Sequence, residues 1–234
     1  MSDKTISDGL RERIDTAIAL LRKIESEHQP AGLANSFGAE DMVLMDLVCK
    51  HAPAIRVFTL DTGRLNAETY DLNQRARDHY GVQVETYFPD AAQVEAFVQE
   101  RGINSFYESV DNRKSCCHIR KVEPLKRALS DKQAWITGLR REQSPTRTDL
   151  GDYEWDEGNG LHKYNPLIEW SHDDVWAYIR AFDVPYNELH DKGYPSIGCA
   201  PCTRAITVGE DLRAGRWWWE NPESKECGLH VKSA

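Results

Sequence analysis

"IRVFTLDTGRLNAETYDLNQRARDHYGVQVETYF", residues 55–88, is the stretch that decides the fold. Its first part, 55–63, is rich in β-branched and aromatic residues and ends in a polar turn, which predicts a strand. Residues 65–81 read as a helix closed by Gly81, and "VQVETYF" (82–88) alternates at period two, as a half-buried strand does. Strand, helix and strand in about thirty residues make a βαβ unit, whose two strands run parallel. The same alternation extends outward. Upstream, "AGLANSF" (31–37) predicts a strand and "EDMVLMDLVCKH" (40–51) a helix. Downstream, "AAQVEAFVQERG" (91–102) is a helix with a glycine stop, and "KQAWITGL" (132–139) is a further strand. Residues 8–27 carry Leu10, Ile14, Ala17, Ile18, Leu21 and Ile24 at helical spacing. The expected fold class is α/β, a parallel sheet flanked by helices.

Beyond about residue 140 the pattern loosens into turn signals and short candidate strands. "SHDDVWAYIRAF" (171–182) restores a helix, with Ser171 as N-cap and Asp174 at the third position, a capping box with Asp in place of Glu. Residues 183–234 are irregular and rich in Gly, Pro, Cys and Trp. The expected organisation is an α/β domain over 1–205 and a C-terminal segment over 206–234.

The 234 residues carry a formal net charge of -9, which argues against non-specific nucleic-acid binding. No stretch approaches the roughly 18 apolar residues of a membrane span. The N-terminal "MSDKTISDGLRERIDTAIALL" reads as an amphipathic helix and not a signal peptide, so the expected compartment is the cytoplasm. There a disulfide framework is not expected from the six cysteines; metal binding or catalysis is the better default for clustered ones.

Two loops are candidate ligand sites. In "NSFGAED" (35–41), between strand and helix, backbone N–H groups and the helix dipole suit an anion, and Gly38 would permit close approach. The loop lacks the lysine of a P-loop. "TLDTGR" (59–64) ends the next strand, and ligands in open α/β sheets bind outside the carboxyl ends of strands. Ser36, Asp61 and Thr62 are therefore expected to face one crevice; an ordinary βα loop and an Asp61-stabilised turn are the plain alternatives.

"SCCHIRK" (115–121) and "GCAPC" (198–202) supply two cysteine pairs, Cys116–Cys117 and Cys199–Cys202. Four thiolates suit tetrahedral zinc or a cubane iron–sulfur cluster. Adjacent cysteines are awkward for one metal ion, whereas a cluster offers separate irons, which favours iron–sulfur; buried free thiols are the remaining alternative. Ser115 is expected to cap a helix whose N-terminus lowers the cysteine pKa values, and Pro124 to free the Arg120 carbonyl and kink that helix. Cys49, among apolar residues, is expected in the core. Lys121, Arg140, Arg141, Arg213 and Arg216 are candidate anion contacts. The tryptophans of "RWWWEN" are expected to be packing surface. Cys227, in "SKECGLH" (224–230), lies where order is usually weak. It is either incidental or a reactive group on a mobile arm.

Taken together, "SFGAED", "LDTGR", "CCHIRKVEPL", "TGLRREQS", "GCAPCTRA" and "ECGLH" closely resemble the assimilatory adenylyl-sulfate reductases, within the phosphoadenylyl-sulfate reductase family. The resemblance covers about residues 30–230 and implies a PP-loop-related, adenine nucleotide alpha hydrolase-like fold. Phe37 and Ala39 depart from the SGGxD loop of ATP pyrophosphatases, which speaks against ATP hydrolysis. It implies adenosine 5′-phosphosulfate as substrate and sulfite and AMP as products. It also implies a [4Fe–4S] cluster on Cys116, Cys117, Cys199 and Cys202, and Cys227 as the nucleophile that becomes an S-sulfocysteine. Thioredoxin or glutaredoxin would release the sulfite. Substrate contacts would come from Ser36, Phe37, Gly38, Asp61, Thr62, Gly63, Lys121, Arg140, Arg141, Arg213 and Arg216. Residues 1–205 would then bind the nucleotide and carry the cluster, and 206–234 would carry the catalytic cysteine. Rival readings are a phosphoadenylyl-sulfate or dual-specificity reductase, a PP-loop tRNA-modifying enzyme, and a non-catalytic zinc or redox-sensor protein. No membrane or nucleic-acid partner is expected; a homo-oligomer is one of the assembly states the sequence leaves open.

Overall fold

The computed structural model describes residues 6–143 and 150–221. Cys227 lies outside these residues. Among them, α1 spans Asp8–Glu27, β1 Ala31–Ala34, α2 Ala39–His51, β2 Arg56–Leu60, α3 Ala67–Tyr80 and β3 Val84–Tyr87. They are followed by α4 (Ala91–Arg101), α5 (Val110–Cys117), α6 (Glu123–Leu129), β4 (Ala134–Ile136), β5 (Tyr153–Asp156), β6 (Leu161–Tyr164) and α7 (His172–Phe182). The expected helices and strands are present, with the strands trimmed at their ends. The predicted strand 31–37 stops at Ala34, because residues 35–38 turn into α2.

The described strands form one sheet in the order β3-β2-β1-β4-β6-β5. β1 pairs in parallel with β2 and β4, β4 pairs in parallel with β6, and β5 pairs antiparallel with β6. β5, at one edge, and its neighbour β6 are joined by a short turn, which antiparallel pairing permits and parallel pairing does not. β1 has β2 on one side and β4 on the other, so the chain reverses its direction of progress across the sheet there. Such switch points leave a crevice at the carboxyl ends of the strands.

The chain divides into two compact units. The first comprises residues 1–59, 68–85 and 131–187, and the second 60–67, 86–130 and 188–234. The apolar core of the first joins α1 (Leu10, Ala17, Leu21), α2, β1, β4 and α7 (Val175, Ile179). The run Met42–Val48 of α2 is buried, including Asp46. That carboxylate accepts from the hydroxyls of Tyr80 (3.0 Å) and Tyr178 (2.6 Å) and from Lys50 Nζ (2.8 Å), so the buried charge is satisfied. The capping box of α7 forms as its sequence predicts, with Ser171 and Asp174 bonding reciprocally. Cys49 is half-buried beside this core, and burial pushes its thiol up to about 11.

Candidate functional site

In the first unit, the loop after β1 and the loop after β4 meet at the switch point. Ser36 donates from both its backbone N–H (2.7 Å) and its hydroxyl (2.6 Å) to Asp41 Oδ2. Phe37, not Gly38, takes the left-handed conformation (φ 62°), steadied by its N–H donating to Asn35 Oδ1 at 2.7 Å. Its ring is buried, which helps hold a backbone geometry that a bulky residue seldom adopts. Gly38 is extended (φ -73°) and serves as the N-cap of α2. A close approach between two segments of the chain is made by Gly138. A Cβ there would lie 2.4 Å from Asp41 Oδ1 and 2.9 Å from Glu40 Cβ, so only glycine lets the two loops touch. Burial raises the Asp41 carboxyl to about 6, against the hydrogen bonds from Ser36.

Arg140 is buried here and its Nε donates to Glu40 at 2.9 Å, while Nη1 reaches Glu142 at 3.2 Å. Arg141 pairs with Glu169. Both arginines, expected as anion contacts, thus face carboxylates of their own unit. Gly138, Glu40 and Asp41 were not singled out from sequence. No local pattern pairs them, because the β1–β4 adjacency that brings them together spans about a hundred residues.

In the second unit, Asp61 and Thr62 are buried and form local turns: Asp61 Oδ1 accepts from Gly63 N at 2.8 Å and Thr62 Oγ1 from Arg64 N at 3.2 Å. Gly63 is exposed and left-handed (φ 70°), as this turn requires. Ser36 and Asp61 fall in different units.

The second unit also brings both cysteine pairs to one recess. Cys116, Cys117, Cys199 and Cys202 line it together with Arg64, Arg113, Arg120 and Lys121. Cys116 and Cys117 are the last two residues of α5, which is capped by Ser109, whose hydroxyl accepts from Asn112 N. The expectation that Ser115 starts the helix and that its N-terminus lowers the cysteine pKa values is therefore wrong. The cysteines sit at the other end of α5, and burial raises the Cys116 thiol. Ser109 lies six residues before Ser115 and caps a helix whose residues 111–115 are all polar, so no apolar stripe marked α5 in the sequence.

After Cys117 the helix widens into a π-turn, His118–Val122, before α6. The expected irregularity is there, ahead of Pro124, whose missing N–H cannot bond to the Arg120 carbonyl. The π-turn carries Arg120 and Lys121. Arg120 donates to the Thr62 carbonyl at 2.7 Å and also to Cys116. Lys121 and Arg216 act on Cys202, whose thiol burial nevertheless pushes up to about 12. The Thr62 hydroxyl lies 3.3 Å from Cys199 Sγ.

Cys199 and Cys202 sit on a tight segment shaped by Arg216. The Arg216 guanidinium lies over the Trp217 ring (4.7 Å) and donates to the Ile197 carbonyl (3.1 Å). A Cβ on Gly198 would come within 2.4 Å of it. Arg213 is half-buried, its N–H donating to Asp211. Two of the three tryptophans pack as expected: Trp217 is buried, and Trp219 meets Tyr107 edge-on at 4.4 Å, whereas Trp218 is exposed. Among the described residues, no three His, Cys, Asp or Glu side chains are placed to hold a single metal ion. The four thiols instead border one recess with cations around it, a donor set suited to a cluster of several irons. Sequence reasoning missed Arg113 and the Arg120 side chain. Their signal was present, since each stands four residues from a cysteine, Arg113 before Cys117 and Arg120 after Cys116.

The sequence profile of the phosphoadenosine phosphosulfate reductase domain matches residues 31–205. An adenosine 5′-phosphosulfate reductase of Allochromatium vinosum is 56% identical over 224 residues, covering 96% of this chain and 88% of that one. A crystal structure of a phosphoadenylyl-sulfate reductase from Candida auris, in complex with phosphate, superposes with TM-score 0.69 at 29% identity, over 86% of this chain and 98% of that one. The FMN adenylyltransferase of Candida glabrata shares the fold, at TM-score 0.59 and 15% identity, over 98% of this chain and 80% of that one.

Proposed function

Since this chain belongs to the phosphoadenosine phosphosulfate reductase family, we propose that it reduces adenosine 5′-phosphosulfate to sulfite and AMP, using a [4Fe–4S] cluster held by Cys116, Cys117, Cys199 and Cys202. The observation that carries the reading is the convergence of both cysteine pairs on one recess lined by cations. The relative named for the same activity is 56% identical along nearly its full length.

The reaction asks a thiolate to attack the sulfur of the phosphosulfate. In our reading Cys227 is that nucleophile, carried on the catalytic segment 206–234, while residues 1–205 hold nucleotide and cluster. A bond forms between Cys227 Sγ and the sulfur, the S–O bond to the nucleotide breaks, and AMP leaves with the electron pair. A dithiol protein such as thioredoxin or glutaredoxin then attacks Cys227 Sγ. Sulfite departs with the electron pair of the S–S bond, and the second thiol of the dithiol frees Cys227. Charge builds on the phosphate and sulfonate oxygens during the first step, so cations already in place stabilise the transition state. Lys121, Arg213 and Arg216 are the residues assigned to that task, with Ser36, Phe37 and Gly38, Asp61, Thr62 and Gly63, and Arg140 and Arg141 toward the nucleotide. Arg140 and Arg141 would act with their carboxylate partners in place, orienting the loop after β4. The cluster, when bound, supplies local charge and holds the two cysteine-bearing segments together. Among the described residues no helix is long and apolar enough to cross a membrane. A reducing cytoplasm would keep these thiols available.

Mass spectrometry after incubation with adenosine 5′-phosphosulfate and no dithiol tests the reading. A sulfo adduct confined to the peptide holding Cys227 is expected; an adduct elsewhere, or none, refutes the mechanism. Turnover with the 3′-phosphorylated nucleotide, measured beside it, decides between the two substrates. Iron and sulfide analysis of anaerobically purified protein tests the cluster, and a colourless zinc-loaded protein would refute it.

A further inference from the structure

The recess has two kinds of cation. Arg120 and Lys121 are half-buried on its wall. Arg113 is different: its side chain is 1% exposed, and its partner Glu220 is 3% exposed. The pair is bidentate, with Arg113 Nε donating to Glu220 Oε1 at 2.9 Å and Nη2 to Oε2 at 2.8 Å. The same guanidinium lies over the Trp217 ring at 4.8 Å and hydrogen-bonds to Cys117, one turn ahead of it on α5. A buried ion pair by itself is a poor source of stability, because desolvating two charges roughly cancels their attraction. This one does something a pair of apolar residues could not. Glu220 and Trp217 fix the plane of the guanidinium, so that an N–H group is held against one chosen sulfur. Sealed from solvent, Arg113 has no route to a nucleotide.

We infer that Arg113 is a positioning residue for Cys117: held by Glu220 and Trp217, it donates a fixed hydrogen bond to the Cys117 sulfur and thereby sets the strength of that ligand's bond to iron. The inference rests on the cluster reading above. It makes Cys117 distinct from Cys116, which meets the half-buried Arg120, and from Cys199, which meets the hydroxyl of Thr62. A hydrogen bond to a thiolate ligand draws electron density from the sulfur, so its loss strengthens that iron–sulfur bond and frees the sulfur from the donor that holds it in place.

The test uses anaerobically purified full-length protein as wild type, Arg113→Gln, Arg113→Lys and Glu220→Gln. Resonance Raman spectroscopy reads the iron–cysteine stretches, chelator challenge reads the rate of cluster loss, and thermal unfolding is followed alongside. Arg113→Gln is expected to shift one iron–cysteine stretch upward and, with that sulfur no longer held in place, to lose its cluster about tenfold faster. Arg113→Lys keeps the charge but cannot make the bidentate grip, so its stretch and loss rate should fall between the two. Glu220→Gln keeps Arg113 but loosens it, and should broaden the same band. If Arg113→Gln does not fold, the other two variants decide. Unchanged stretches and loss rates in the folded variants, with or without a fall in Tm, overturn the inference and leave Arg113 with a packing role. A wild-type protein without iron and sulfide defeats the cluster reading itself, a result distinguishable from the first.

Discussion

Gly198→Ala isolates the contact that shapes the second cysteine pair. Gly198 has φ outside the left-handed region, so alanine meets no backbone penalty there. The obstacle is steric. The new Cβ would lie 2.4 Å from Arg216 Nη2, 2.6 Å from Cζ and 3.0 Å from Nη1. Relief requires the guanidinium to move by about 1 Å, to reach the ordinary contact range of 3.4–4 Å. Arg216 is only 9% exposed, and moving it breaks the hydrogen bond to the Ile197 carbonyl and the stacking on Trp217. A hydrogen bond to a charged group contributes about 1.5–3 kcal/mol, and a desolvated cation–π contact about 0.5–2 kcal/mol. Allowing for partial recovery in a new position, the expected loss is about 2–4 kcal/mol in urea unfolding. A double-mutant cycle assigns the cause. In an Arg216→Ala background the clash is gone, so Gly198→Ala should cost less than about 0.5 kcal/mol there. The same cost in both backgrounds, or a cost below about 0.5 kcal/mol in the wild type, would refute the argument.

Three further outcomes are expected. Gly138→Ala overpacks the two loops at the switch point, where its Cβ would stand 2.4 Å from Asp41 Oδ1; urea unfolding should show a loss of about 1–3 kcal/mol, and KM for the nucleotide should rise more than kcat falls. Asp41, raised from 3.8 to about 6, favours the folded state fully only below its unfolded pKa, and that contribution is lost as pH rises through about 6. The stability of wild type relative to Asp41→Asn should therefore fall by about 2 kcal/mol between pH 4 and 7, after allowance for partial exposure, and an NMR titration placing this carboxyl near 4 would contradict it. Cys227→Ser should form no sulfo adduct and no sulfite while still binding the nucleotide by calorimetry; residual turnover would show a different nucleophile.

Much of this molecule could be read before any coordinate. The helical spacing of Leu10 to Ile24, the period-two run at 82–88 and the Ser171–Asp174 cap are local signals, set by interactions within a few residues, and each appears as expected. The two cysteine pairs stand out by their spacing, and the fold brings both to one recess. Tertiary structure decided the rest. It placed Cys116 and Cys117 at the end of α5 and not its start, since a polar eight-residue helix leaves no apolar stripe to reveal its phase. It set Gly138 against Asp41, and Gly198 against Arg216, contacts between segments with no local pattern in common. It also turned arginines that looked alike in sequence into different things: Arg140 locked to Glu40, Arg113 sealed against Cys117 and Glu220, and Arg120 left half-buried beside the sulfurs. Charge and spacing are written along the chain. Which carboxylate or thiol each charge meets depends on chain reversal across the sheet and on burial, and those exist only once the chain has folded.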